Sequence, residues 1–225
     1  MQHIINLGHL PATATTGPAT FGPALHALAH GTDPDLRFGH LLAQGLGSTT
    51  VPATLTIILR AGTLSLEGAA ADITLHPGEA ALIGKGTALA WKADHADLIL
   101  IADFAAEPRN LVAKHDLTQA LGAGAGPNPA LLRSPMPSIG HHGFIAEAEL
   151  SSGLWSATPY DRAPMVYSFT EAMYLLEGSV TPYDDEGNSV HFIKGDVFII
   201  LTGATAGWRS TEPVRKIYVI SQRKG

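Results

Sequence analysis

Apolar residues in this chain come in short runs separated by glycine, proline, aspartate and asparagine. The segments "LTIILRAGTLSLEG" (55–68), "DLILIADF" (97–104), "EAMYLLEG" (171–178) and "RKIYVISQ" (215–222) are of this kind, the second and fourth rich in β-branched side chains. No long stretch follows a helical period, whereas short runs bounded by turn residues are the pattern of strands. An all-β sandwich or barrel is therefore predicted. The segment "DLTQAL" (116–121) reads as a single helical turn, and "HIINL" (3–7) as a strand within an otherwise turn-rich start.

Part of the pattern occurs twice. "GEAALIGKGTALAW" (78–91) and "GDVFIILTGATAGW" (195–208) share an acid after the first glycine, a second glycine at the same spacing and a closing tryptophan. Upstream, residues 55–68 align with "EAMYLLEGSVTPYD" (171–184) through Gly62 and Gly178, and the second copy carries one extra residue at the turn "DDEGN". Downstream, residues 97–104 match residues 215–222. Such self-similarity predicts a duplicated unit. The expected organisation is an N-terminal domain over 1–104, a linker over 105–137 rich in Ala, Gly and Pro ("GAGAGPNPALL"), and a C-terminal domain over 138–225.

Composition narrows the function classes. At 225 residues, with 45% hydrophobic and 15% charged residues, the chain can bury two small cores. Its net charge of −6 and the lack of a Lys/Arg-rich stretch argue against a nucleic-acid partner. No apolar run is long enough to cross a bilayer and the first residues do not read as a signal peptide, so no membrane partner and a cytoplasmic location are expected. With no cysteine, disulfides, thiolate metal sites and thiol nucleophiles are excluded.

At Glu171 and Gly178, and again at Gly195, Asp196 and Gly203, the chain resembles the cupin superfamily of small jelly-roll β-barrels. The duplication makes it resemble a bicupin, two such barrels in tandem. The stretch "EAMYLLEGSVTPYDDEGNSVHFIKGDVFIILTGATAGWRSTEPVRKIYVIS" (171–221) is similar to the branch that holds ethanolamine-utilisation cupins and ureidoglycine-aminohydrolase-like proteins. Gly207-Trp208 stands where many sequences of that branch replace the metal-binding histidine region.

The resemblance implies a mononuclear site in which three imidazoles and one carboxylate hold Mn, Fe, Ni or Zn. Here Met165 and Tyr167 occupy the positions of the first two histidines, Ala206 that of the third, and only Glu171 remains. In the first copy Leu55 replaces even the glutamate. The expectation is no metal cofactor. The alternative is a metal-dependent, ureidoglycine-aminohydrolase-like enzyme using one divalent transition metal with irregular ligands such as His141, His142 or His191. Adjacent strand residues face opposite ways, so only one of His141 and His142 could turn inward, and a solvent-exposed or edge role is expected for the histidines.

The family pattern turns Glu171 inward, and alternation puts Met173 on the same face and Tyr174 on the other. A buried carboxylate without a partner would be costly, so one must exist. Lys216 is the best candidate, since it shares a strand face with Val214, Tyr218 and Ile220; Arg162 and Arg209 read as solvated. Glu171 and Lys216 are thus the candidate catalytic pair, with Met165, Tyr167, Met173, Trp208 and Tyr218 as candidate ligand contacts. The matching inward positions of the first copy, Leu55, Ile57, Leu59, Leu89 and Trp91, are apolar and predict a scaffold. The functional expectation is a small polar ligand of carboxylate, amide or ureide type in the C-terminal barrel, with catalysis left open. A competing reading is a non-catalytic regulatory or assembly module that presents strand residues such as Tyr174 as an interface, and the resemblance makes dimerisation through the sheets available.

Overall fold

The computed structural model describes residues 4–7, 12–16, 29–30, 35–146 and 150–222. Its contacts divide the chain into two compact units, one formed by Leu7–Leu117 and the other by Thr118–Lys224 together with Met1–Asn6. The strand β1 (Ile4–Asn6) accordingly belongs to the C-terminal unit, not to the N-terminal domain assigned from sequence.

The N-terminal unit contains β2 (Ala12–Thr16), β3 (Ala29–His30), β4 (Leu36–Thr50), β5 (Thr54–Gly68), β6 (Asp72–Leu75), β7 (Ala80–Ile83), β8 (Ala88–Asp103) and β9 (Val112–Lys114). They form one sheet in the order β2-β4-β8-β5-β7-β9, with β3 against β4 and β6 against β5. The long strands β4, β5 and β8 bend at register shifts between Ala43 and Gly45 and between Leu59 and Thr63. Bulges of this kind raise local twist and let a sheet curl over its own apolar face. That face is the core: Leu55, Ile57, Leu59, Leu64, Leu66, Leu89, Trp91, Leu98 and Leu100 are all buried. The alternation of β5 and β8 is what puts them there, since residues two apart share a face.

His115 is also buried in this unit, and desolvation pushes its imidazole down to about 4. A histidine depressed in the folded state binds its proton more readily in the unfolded chain. The stability it permits is therefore full above its unfolded value near pH 6.5 and lost as pH falls towards 4. The expected loss is roughly 3 kcal/mol. Urea titrations of the wild type and a His115→Phe variant at pH 7 and pH 4.5 check this, the variant being expected to show the shallower loss.

The C-terminal unit contains β1 and β10 (Gly122–Ala123), β11 (Ile139–Ala146), β12 (Leu150–Ala157), β13 (Tyr160–Val166), β14 (Thr170–Glu177), β15 (Ser179–Tyr183), β16 (Phe192–Ile193), β17 (Val197–Ile200), β18 (Thr205–Ser210) and β19 (Val214–Ser221). One sheet runs β1-β17-β14-β19-β12-β11-β10, the other β13-β18-β15-β16. Their apolar faces share one core, Met173, Leu175, Phe198, Ile200 and Val214 from the first meeting Tyr160, Val180, Phe192 and Trp208 from the second. Apolar faces of two sheets closing on each other are the jelly-roll solution for an all-β unit.

The internal repeat of the sequence is a repeat of backbone geometry. Gly62 and Gly178 have φ of 77° and 75°, Gly78 and Gly195 of 89° and 92°, and Gly86 and Gly203 of 83° and 85°. Gly78 N–H donates to Leu59 O at 2.7 Å as Gly195 N–H does to Leu175 O at 2.8 Å, and Gly86 N–H donates to Val51 O as Gly203 N–H does to Tyr167 O, both at 2.8 Å. The shared acid closes the same turn in both copies. Glu79 accepts from His76 N–H at 2.7 Å and Asp196 from Ile193 N–H at 2.8 Å, each closing the turn that its glycine opens.

Two readings of the middle segment change. Residues 105–137 contain strands that extend the sheets, β9 beside β7 and β10 beside β11, so the stretch is not an unstructured tether. "DLTQAL" is not helical, since a single turn fixes many dihedrals for little hydrogen bonding. Among the described residues the helical turn of this region is Pro129–Leu131, where proline presets the first position and the Asn128 side chain accepts from Ala130 N–H at 3.0 Å.

Candidate functional site

The alternation of β19 turns Val214, Lys216 and Tyr218 to the interior of the C-terminal unit. On one side β14 sets Glu171 opposite Ile220, Met173 opposite Tyr218 and Leu175 opposite Lys216. On the other, β12 sets Trp155 opposite Lys216 and Gly153 opposite Tyr218. Lys216 Nζ consequently donates to Glu171 Oε1 at 2.8 Å and to Met173 Sδ at 3.0 Å. It also lies 4.7 Å from the Trp155 ring centroid and 4.8 Å from that of Trp208. Two indole faces thus replace much of the water that the ammonium gives up.

These strands, together with β11, β13 and β18, leave room for a cavity of about 330 Å³ whose wall includes Glu171, Lys216, Tyr218, His141, Arg162 and Trp208. Tyr218 reaches it over Gly153, where even a Cβ would stand 2.8 Å from the hydroxyl, and its oxygen is 2.6 Å from His141 Nε2 on β11. From the second sheet, Arg162 enters beside Trp208, its strand partner on β18. The Arg162 Nη2 donates to the Tyr167 hydroxyl at 3.1 Å and to the Ala206 carbonyl at 3.2 Å. Trp208 stacks on Tyr160 with centroids 6.2 Å apart, and Trp155 meets Trp208 edge-on at 5.9 Å.

Burial governs the ionisation of these groups. It lowers the proton affinity of Lys216, an effect that the Glu171 carboxylate opposes and the Arg162 cation reinforces. It pushes the Tyr167 hydroxyl up to about 12 and raises Tyr160, while Tyr218 is raised by burial and by the charge of Glu171. The three phenols are therefore neutral hydrogen-bonding groups at neutral pH, not bases.

Of the residues singled out from sequence, Glu171, Lys216, Met165, Tyr167, Trp208 and Tyr218 all line the cavity. Met173 does not reach the wall; it supports Lys216 from the core side through its sulfur. Two expectations are corrected. Arg162, read as solvated, is buried in the cavity wall because it shares the inward alternation of β13 with Tyr160. His141 is exposed, as read from sequence, and in addition lines the cavity and bonds Tyr218. Tyr174, offered as an exposed interface residue, is 7% exposed, so the outer face of β14 is covered at that point. Trp155 was missed altogether. The period-two spacing of Tyr160 and Arg162 was the available signal for Arg162, obscured by the flanking "DRAP", which reads as a turn.

The positions that would hold a metal do not fit one. Met165 and Ala206 face each other across β13 and β18, Tyr167 donates no imidazole, and the Glu171 carboxylate is engaged by Lys216. Among the described residues no group of three or more His, Cys, Asp or Glu side chains could hold a metal ion.

The N-terminal unit shows what the same backbone does without these groups. Leu55 pairs with Ala102, Ile57 with Leu100 and Leu59 with Leu98, as Glu171, Met173 and Leu175 pair with Ile220, Tyr218 and Lys216. Leu55, Leu98 and Leu100 therefore stand where the C-terminal unit has Glu171, Lys216 and Tyr218, and they are packed as core.

Comparison with known proteins agrees with this geometry. Residues 146–218 match the family model of the EutQ-like cupin domain, so the C-terminal unit carries a cupin-family domain. The fold is similar to that of a protein of unknown function from Pseudomonas syringae pv. tomato, with a TM-score of 0.83 and 25% identity over 92% of each chain. A cupin 2 conserved barrel domain protein from Leptotrichia buccalis superposes with a TM-score of 0.64 and 14% identity over 97% of this chain and 95% of that one. A salicylate 1,2-dioxygenase from Pseudoaminobacter salicylatoxidans shares the fold with a TM-score of 0.57 and 10% identity, covering 84% and 72% of the two chains. No curated protein matches the chain in sequence. No helix among the described residues is long and apolar enough to cross a membrane.

Proposed function

We propose that the protein is a bicupin whose C-terminal barrel binds a small polar molecule of carboxylate, amide or ureide type without the usual metal, while the N-terminal barrel serves as scaffold. Within the superfamily we place it beside the ethanolamine-utilisation and ureidoglycine-aminohydrolase-like branch. One observation carries this reading: at equivalent backbone positions one unit has Leu55, Leu98 and Leu100, and the other has Glu171, Lys216 and Tyr218 beside a cavity. Ionised groups withdrawn from water are costly, and leucines at these positions suffice to fold the first unit. The polar set is best explained by a ligand.

The ligand would meet groups whose orientation is already fixed. Lys216 uses two of its three N–H donors on Glu171 and Met173, leaving one for the cavity. Glu171 Oε1 is held by Lys216, so the carboxylate can accept from an amide or ureide N–H through its remaining lone pairs. Tyr218, steered by His141, offers a neutral hydroxyl.

The test is a thermal-shift and calorimetric screen of small carboxylates, amides and ureides against the wild type and a Glu171→Leu/Lys216→Leu double variant. Binding to the wild type that disappears in the folded double variant supports the proposal; equal binding to both defeats it. Elemental analysis of the purified protein is expected to give transition metal well below one equivalent, with no gain in ligand affinity on adding Mn, Fe, Ni or Zn. Stoichiometric metal that ligand binding requires would return the alternative of a metal-dependent enzyme.

A further inference from the structure

We infer that the cavity of the C-terminal unit selects a monocarboxylate with a flat apolar body, the carboxylate seating on Arg162. This rests on the reading that the cavity binds a small molecule and narrows it to one ligand class. Besides the three tyrosines, the ionisable side chains in the wall are Arg162, Lys216, Glu171 and His141. Lys216 and Glu171 answer each other at 2.8 Å. Among the described residues Arg162 has no such answer. It is 7% exposed, both of its hydrogen bonds go to neutral oxygens, and its Nε has no partner. The neighbouring acid, Asp161, is turned away to the Tyr183 hydroxyl at 2.6 Å and Arg209 Nε at 3.0 Å.

A guanidinium withdrawn from water without a counter-charge is unfavourable, and removing that penalty is a source of affinity for whatever supplies the charge. The planar fork of arginine matches a carboxylate through paired N–H donors. The charge balance also sets a limit. One carboxylate is answered by Arg162, whereas a second would face the Glu171 carboxylate. The remaining wall is aromatic: Trp208 stacked on Tyr160, with Trp155 set against it, presents flat apolar surface suited to a planar body.

Benzoate and benzamide differ chiefly in charge and make the probe pair. Calorimetry on the full chain, with quenching of the cavity tryptophans as a second readout, is expected to show benzoate binding at least about tenfold more tightly than benzamide, the scale of one charge-assisted pair. Terephthalate, with its second carboxylate, is expected to gain nothing over benzoate. Arg162→Gln is expected to bring the benzoate to benzamide ratio close to one. Equal affinities in the wild type, or a ratio unchanged in Arg162→Gln, overturn the anion site while leaving small-molecule binding intact. If neither probe nor any carboxylate, amide or ureide binds, the parent reading fails and this one with it. Should Arg162→Gln not fold, the wild-type ratio decides.

Discussion

Lys216→Leu destabilises the C-terminal unit by about 3–5 kcal/mol, and adding Glu171→Leu to the same chain returns most of that loss. The single change leaves the Glu171 carboxylate, only 12% exposed, without the salt-bridge partner it has among the described residues. A buried charge stripped of its partner carries the full desolvation penalty, which is why breaking such a pair costs more than replacing both members with apolar residues. The N-terminal unit has already made that replacement: Leu55 and Leu98 occupy the two positions in a core where both are fully buried. Urea unfolding followed by tryptophan fluorescence reads the effect, because Trp155 and Trp208 report the C-terminal unit while Trp91 reports the other. A double-mutant cycle should give a coupling of at least about 2 kcal/mol. Two small and additive single effects would mean that the pair is solvated and that neither side chain is held as its contacts indicate.

That pair was legible in the sequence for a definable reason. Strand alternation fixes which residues share a face, so once Glu171 was set inward a partner on the neighbouring strand could be sought, and Lys216 stood in phase with Val214 and Tyr218. The repeat was legible on similar grounds, because the turns it is built on require glycine, and Gly62, Gly178, Gly78, Gly195, Gly86 and Gly203 do adopt positive φ. What escaped were contacts that depend on which strands meet across the unit. Arg162 and Trp155 lie on β13 and β12, segments outside the repeated motif, and their approach to Lys216 follows from sheet order, which period-two patterning does not encode. His141 escaped likewise, since its partner Tyr218 is on β19, reached only across β12. The strand β1 shows the same limit at larger scale: "HIINL" reads as a strand, but nothing local says that it pairs with β17.

Gly178→Ala destabilises the C-terminal unit by roughly 3–5 kcal/mol, and Gly203→Ala by only about 1–2 kcal/mol, although both glycines have positive φ. The backbone strain of placing an L-residue in the left-handed region is common to the two and accounts for the smaller figure. The difference is steric. A Cβ on Gly203 meets nothing within 4 Å, whereas one on Gly178 would stand 2.1 Å from the Pro213 carbonyl oxygen, at the entry to β19. Relief requires the start of β19 to move, and Val214 and Lys216 belong to that strand. The prediction therefore has a second arm. Gly178→Ala weakens ligand binding as well as stability, because it displaces the strand that carries Lys216 and Tyr218, while Gly203→Ala does not displace that strand. The N-terminal unit supplies the control: Gly62, where a Cβ would be 2.3 Å from His95 O, is expected to cost a similar amount of stability on substitution by alanine without altering binding in the other unit. Chemical denaturation of the three variants, with binding measured on each folded protein, separates these outcomes. Equal stability losses at Gly178 and Gly203 would show that the strand entry yields freely, and that the shared glycine serves φ alone.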